Sequence, residues 1–303
     1  MKIYLNRQPV EGPWGGGNKT VTKLAEFLIK LGHQVVFRLE ENVDIIFCFD
    51  PRPNTFGERY QHFLDYKGVH PRTKIIQRVG DIGTHNKPEL TSLVKQTINH
   101  SDHIIFPSKW AKEYINYSAE NCNIIHNGPL KLFHKYKKNK ELNESINIIT
   151  HHWSTNPKKG FEYYKLLDGC IKNINFTFIG RLPDNFKFAG ENINYIGATG
   201  DNHYLAKTIS EHDIYLTASE EEAGANHVLE GMAAGLPVVY HNNGGSINNY
   251  CHNYGLEYST HDEMFLAIKE IKENYQSYKE KVMNYTRTID DVTKEYGRIV
   301  YEV

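Results

Sequence analysis

Glu222 and Glu230 stand eight positions apart in the run EEEAGANHVLEGMAAGLPVVYHNNGG, residues 220–245. Val228, Leu229, Met232 and Ala233 fall on one face of a short helix, Gly235 stands where that helix stops, and Leu236 to Tyr240 read as a buried strand. One carboxylate therefore lies at the mouth of a helix N-terminus and the other within its first turns. Alone, an acid at a helix start only complements the helix dipole. Two further clusters give this pair a context. His151-His152-Trp153-Ser154-Thr155-Asn156-Pro157-Lys158-Lys159-Gly160 follows a strand, and Lys159 precedes a helix start at Gly160. An ammonium and a helix dipole converge there, which suits a leaving diphosphate that gains negative charge in the transition state. The plainer reading is a surface lysine beside a turn. Near the N-terminus, Gly12-Pro13-Trp14-Gly15-Gly16-Gly17-Asn18-Lys19 joins a strand to a helix. Glycines let backbone N–H groups approach a phosphate at a helix start. The pattern is neither GxGxxG nor a P-loop, which speaks against dinucleotide and P-loop chemistry. His151 and His152 lack the spacing of a metal site, so no metal and no cofactor is expected.

The elements that must position these residues alternate between strand and helix, which argues for parallel sheets covered by helices. Met1 to Leu5 is a first strand, Lys19 to Leu31 a helix capped by Gly32, and Gln34 to Arg38 the next strand. Val43 to Phe49, Lys74 to Val79, His103 to Pro107 and Asn123 to His126 continue the series, with Ser108 as N-cap of a helix. After Asn127-Gly128-Pro129 the rhythm gives way to a polar, lysine-rich stretch that includes Lys135-Tyr136-Lys137-Lys138-Asn139-Lys140, read as a solvated linker. A second series follows: Ile146 to Thr150, a helix over 160–172, Asn175 to Ile179, Tyr195-Ile196, a helix over 203–211, Ile214 to Thr217, the helix carrying Glu230, and Val238 to Tyr240. Residues from Asp262 to Val303 are helical and amphipathic. The expected fold class is α/β, with two doubly wound, Rossmann-like parallel-sheet domains. Such sheets bind ligands at the carboxyl ends of their strands, so a site is expected in a cleft between the domains.

Composition narrows the function classes. The chain has 303 residues, enough for two domains, with 40% hydrophobic and 23% charged residues. A net charge of −1 supplies no field for nucleic acid. Cys48, Cys122, Cys170 and Cys251 are scattered without a CxxC pair, as in reduced cytoplasmic proteins. The first residues form a strand and not a signal peptide's apolar core, and no stretch reaches the roughly 20 apolar residues of a membrane span. The expected location is cytoplasmic, with any contact to the inner face of a membrane peripheral.

On these residues the chain resembles retaining, nucleotide-sugar-dependent glycosyltransferases of the two-domain GT-B type, in glycosyltransferase family 4. Glu222-x7-Glu230 followed by GMAAGLPVV is similar to that family's E-x7-E-A-M-A-x-G-x-P-V signature. Weaker matches occur in the same order: Gly15-Gly16, Gly32-His33-Gln34-Val35, residues 101–108 (SDHIIFPS), Ile125-His126-Asn127-Gly128, Lys158-Lys159-Gly160 and Glu211-His212-Asp213-Ile214-Tyr215. The resemblance implies an acceptor-side domain over 1–130, a donor-binding domain over 131–286, and a C-terminal helix over about 287–303 that crosses back onto the first. It implies that Glu222 sits by the donor sugar's anomeric centre and that Glu230 accepts hydrogen bonds from the ribose hydroxyls. Backbone amides of Gly224, Ala225 and Asn226 would hold the diphosphate and Lys159 would neutralise it. Gly197 and Ala198 would border the base, and Gly15, Gly16 and Gly17 would line the first-domain loop.

The chain departs from the family in places. His152-Trp153 stand where many members carry Gly-Arg, and Arg181 is the candidate substitute. Gly224-Ala225 replaces a usual Phe-Gly. Where many members have a first-domain histidine, this chain has Gly80-Asp81 with His85 four residues on, and either Asp81 or His85 would orient the donor. The implied activity is sugar transfer from a nucleoside diphosphate to a hydroxyl of a glycan, lipid-linked or small-molecule acceptor, with retention and without a metal. A nucleotide-sugar epimerase of the same fold and a non-catalytic nucleotide-sugar-binding relative are the alternatives.

Overall fold

The computed structural model describes residues 1–12, 16–168, 173–190 and 193–303. Contacts divide the chain into two compact units. One comprises Met1–Asn127 with Ile289–Val303, the other Gly128–Thr288.

The first unit runs β1 (Lys2–Leu5), α1 (Gly16–Lys30), β2 (Gln34–Val36), β3 (Ile45–Cys48), α2 (Tyr60–Val69), β4 (Lys74–Arg78), α3 (Pro88–Ile98), β5 (His103–Phe106), α4 (Lys109–Ile115) and β6 (Cys122–Ile124). Its six strands are parallel, in the order β2-β1-β3-β4-β5-β6. Strands covered on both faces must be apolar throughout, and β3 is buried at each of its positions. Ser108 caps α4 as its sequence position predicts, accepting from the Ala111 amide at 3.0 Å.

The second unit runs α5 (Lys131–Lys135), β7 (Ile146–His152), α6 (Phe161–Leu166), β8 (Ile174–Gly180), β9 (Ile193–Gly197), α7 (Asn202–Ser210), β10 (Ile214–Thr217), α8 (Asn226–Ala233), β11 (Val238–His241), α9 (Ser246–Cys251), β12 (Gly255–Tyr258), α10 (His261–Glu273) and α11 (Tyr275–Met283). Its strands are again parallel, in the order β12-β11-β10-β7-β8-β9. The strand order reverses between β7 and β10, so the loops leaving these two neighbours diverge around one crevice. The last helix, α12 (Ile289–Glu302), belongs to the first unit. Its Val292, Tyr296, Ile299 and Val300 join Val21, Leu24 and Leu28 of α1 in one apolar core.

The stretch read as a solvated linker is part of the second unit's structure. Phe133 of α5 is fully buried among the core residues of that unit. Lys137 donates to the carbonyls of Met283 and Tyr285, at 3.1 and 2.7 Å, at the end of α11. Lys140 donates to the Glu211 carbonyl and pairs with buried Asp213 at 2.7 Å. Lysines near a helix C-terminus satisfy its last carbonyls while their stems cover apolar surface, so a basic composition does not require a solvated chain. The helix expected over 160–172 is described as α6, and residues 169–172, Cys170 among them, lie outside the described residues. The helical segment after Asp262 is divided into α10, α11 and α12.

Candidate functional site

Three loops at the carboxyl ends of β7, β10 and β11 are tied together through their backbones. The Glu220 amide donates to the Lys158 carbonyl, and the Glu221 amide to the Asn243 carbonyl, both at 2.8 Å. Glu222 forms a parallel bridge with Gly245, and the Ser246 amide donates back to the Glu222 carbonyl at 2.8 Å. Glu221 takes a left-handed φ of 51°, a conformation that a non-glycine residue holds only where its surroundings fix it. These ties aim two ion pairs across the switch point of the sheet. Lys158 Nζ pairs with Glu221 Oε2, and Lys159 Nζ pairs with Glu222 Oε1. The second pair is the more enclosed, with side chains 9% and 14% exposed. Gly160 makes this approach achievable. At its φ of 72°, a Cβ would lie 2.4 Å from the Ala218 carbonyl oxygen.

Glu230 lies deeper. The sequence predicts one apolar face for α8, yet His227 through Ala233 are all buried, Glu230 included at 4% exposure. A carboxylate that far from water needs partners. His151, at the end of β7 and 1% exposed, meets Glu230 Oε2 through Nε2 at 2.7 Å. Its other ring nitrogen, Nδ1, lies 3.0 Å from the hydroxyl of Tyr215 on β10. A carboxylate oxygen can only accept, so Nε2–H donates to Glu230, and the Tyr215 hydroxyl also donates to the His151 carbonyl at 3.3 Å. Burial raises the Tyr215 pKa well above the ordinary phenol value, so its hydroxyl keeps the proton it donates. Gly231 stands where the E-A-M-A signature has alanine. A Cβ there would lie 2.5 Å from Tyr215 Cδ2, so the tyrosine ring fits beneath the helix only because position 231 lacks a side chain.

Gly235 ends α8 in a Schellman motif, as the sequence predicts for a stop at this glycine. Its φ is 86°, its amide donates to Met232, and the Leu236 amide donates to Gly231. Lys279 of α11, 1% exposed, donates to the Gly235 carbonyl at 2.6 Å, and burial pushes its pKa down to about 8. His152 packs its ring against Phe161, Tyr164 and Phe178. Its Nδ1–H donates to the Ser154 carbonyl at 3.3 Å, while Nε2 finds no hydrogen-bond partner among the described residues. Burial first, and the Lys159 ammonium second, hold its pKa well below the ordinary imidazole value.

The remaining candidates distribute as follows. The Ala225 amide donates to Ser246 Oγ at 3.0 Å, which removes it from the amides able to face a phosphate. Asn226 opens α8 and Gly224 precedes it in the same loop. Arg181 follows β8 on the exposed surface, and its amide points at the His152 carbonyl 3.4 Å away. Gly197 ends β9 opposite Gly180, and Ala198 follows it, both exposed. In the first unit, Gly16 and Gly17 open α1, while Gly15 lies outside the described residues. Asp81 is engaged within its own loop, accepting from the Gly83 amide at 3.0 Å and pairing with Lys87 at 2.8 Å. His85 occupies the same loop, half-buried. His151 is the residue whose part the sequence did not disclose. Its one visible signal was a polar side chain at the end of an apolar strand. Among the described residues, no group of three or more His, Cys, Asp or Glu is placed to hold a metal ion, and no helix is long and apolar enough to cross a membrane.

Residues 162–274 match the family Glycosyl transferases group 1. No match was found among curated protein sequences. Among solved structures, the chain resembles sucrose-phosphate synthase from Thermosynechococcus elongatus at a TM-score of 0.73 and 14% identity, covering 99% of this chain and 98% of that one. It also resembles Anabaena HepE in complex with UDP and glucose, at 0.73 and 13%, over 100% of both chains. WaaG, a glycosyltransferase involved in lipopolysaccharide biosynthesis, aligns at 0.67 and 13% over 99% of both. At such identities the likeness establishes the α/β fold, which is of GT-B type. The stretch that matches the group 1 glycosyltransferases lies within the second unit and includes both Glu222 and Glu230.

Proposed function

We propose that the protein transfers a sugar from a nucleoside-diphosphate sugar to a hydroxyl acceptor, with retention of anomeric configuration and without a metal, in glycan assembly. The observation that carries this reading is the Lys159–Glu222 pair at the switch point of the second sheet, on a segment flanking and within the stretch that matches the group 1 family. An ammonium beside a helix start neutralises the negative charge that develops on a departing diphosphate. A carboxylate next to it accepts hydrogen bonds from sugar hydroxyls and steadies an oxocarbenium-like centre. Glu230, one α8 turn further in, takes the vicinal ribose hydroxyls. Asn226 and Gly224 offer amides to the diphosphate, Arg181 adds a cation from the end of β8, and Gly197 and Ala198 border the base. In the first unit, Gly16 and Gly17 line the loop before α1, and Asp81 or His85 orients the donor. No side chain is assigned as a covalent nucleophile, so attack occurs on the face the leaving group vacates, and the departing phosphate takes the acceptor's proton.

The HepE structure with UDP and glucose supports a nucleotide-sugar donor by analogy of fold. Calorimetry with UDP, GDP and ADP on the wild type and on Glu230→Ala tests the reading. Selective micromolar binding by the wild type, unchanged by EDTA and weakened by about tenfold or more in the variant, is the expected result. No binding to any of the three would overturn it. Proton NMR of the first-formed product decides retention.

A further inference from the structure

Glu230 is a buried carboxylate whose rotation is set from behind. A terminal carboxyl torsion is soft, so an unanchored glutamate would sample many orientations and lose that freedom on meeting a diol. Here His151 Nε2 holds Oε2 at 2.7 Å, and the direction of the second oxygen follows. His151 is itself held on its far side: Tyr215 OH lies 3.0 Å from Nδ1, and the His151 amide donates to the same hydroxyl oxygen at 3.2 Å. The chain of contacts runs from β10 through β7 to α8, three elements of one unit, and Gly231 supplies the space in which the Tyr215 ring sits. A tyrosine, a histidine and a missing side chain thus converge on one carboxylate. Core packing alone would be met by three apolar residues of similar volume.

We propose that His151, backed by Tyr215, is a positioning residue that makes Glu230 selective for a ribose diol over a 2′-deoxyribose. The inference rests on the reading of Glu230 as the ribose ligand. A carboxylate preset in rotation accepts from two vicinal hydroxyls at little further loss of freedom. Without the histidine, Glu230 still accepts from one hydroxyl, but the advantage of the second is diluted by rotation. His151 therefore governs the ratio of the two affinities more than either affinity alone.

The test is calorimetry with UDP, GDP and ADP, each paired with its 2′-deoxy analogue, on the wild type, His151→Leu, His151→Gln and Tyr215→Phe. Wild type is expected to prefer the ribonucleotide that binds by about tenfold or more. His151→Leu should bring that ratio close to one. His151→Gln, whose amide still donates to Glu230, should restore most of it. Tyr215→Phe removes one hydroxyl and should reduce the ratio part of the way, which keeps the test decisive should His151→Leu fail to fold. A ratio unchanged in His151→Leu or, failing that variant, in Tyr215→Phe overturns the inference alone. Absence of binding by wild type to all six nucleotides overturns the nucleotide reading and this inference together.

Discussion

Lys159 and Glu222 form an ion pair between the loops that leave β7 and β10, the two strands at which the second sheet reverses its order. With side chains 9% and 14% exposed, each stands largely out of water, so loss of one partner strands the other. Glu222→Gln and Lys159→Met should each destabilise the second unit, and the double variant by less than the sum. A coupling of about 1–2 kcal/mol is expected from denaturant unfolding of the four proteins. Strict additivity would show that the two side chains are not energetically coupled.

The two glutamates predict a kinetic separation. Glu222→Gln should lower sugar transfer by about a hundredfold while leaving nucleoside diphosphate affinity within a few fold. Glu230→Ala should do the reverse and weaken nucleotide affinity by about tenfold or more. Donor-turnover rates and calorimetric Kd values for the two variants check this, and equal losses in both quantities would refute the division of roles.

Gly231→Ala places a Cβ 2.5 Å from Tyr215 Cδ2, so α8 or the ring must shift. A loss of about 1–3 kcal/mol is expected, typical of an overpacked core. Combining it with Tyr215→Leu should recover part of that loss, because the smaller side chain vacates the contested space. Chemical denaturation of the single and double variants reads both effects. A silent Gly231→Ala would mean that α8 is free to move off the sheet.

Stability on the acid side should depend on His152. Its folded pKa is held well below the ordinary value, by burial first and by Lys159 second. The unfolded chain takes up a proton near pH 6.5 where the folded one does not. Stability from this residue is therefore complete above about pH 6.5 and is lost as the pH falls below it. His152→Phe keeps an aromatic ring among Phe161, Tyr164 and Phe178 and should flatten the fall in Tm between about pH 6.5 and 5.

Lys279 gives the corresponding dependence in base. Burial lowers its folded pKa to about 8, against about 10.4 for the unfolded chain. Between those values the unfolded state binds more protons, so this lysine makes stability rise with pH across the window. Lys279→Met should remove that rise from the Tm profile. It should also loosen the end of α8, where the Gly235 carbonyl loses its donor.

Strand positions were legible because parallel strands covered on both faces must be apolar, and the run at Ile45 to Cys48 shows it directly. Gly32 and Gly235 were legible as helix stops because left-handed φ values favour glycine. The carboxylates Glu222 and Glu230 were legible by spacing. The anchoring of Glu230 was not, because His151 and Tyr215 lie 79 and 15 residues away in the chain and meet it only through the order of β7 and β10. Polarity also misled around residues 130–146. Lys137 and Lys140 look solvated in sequence, yet their ammonium groups close the ends of other elements, a partnership that exists only once α11 and Asp213 are in place.

The first unit is assembled from two stretches of chain separated by the whole of the second. During synthesis, residues 1–127 emerge with α1 lacking the apolar side chains of α12, which arrive only after residue 288. The middle of the protein can therefore reach its native state before the beginning does. For as long as translation takes to cover that interval, Val21, Leu24 and Leu28 are left without the α12 side of their core.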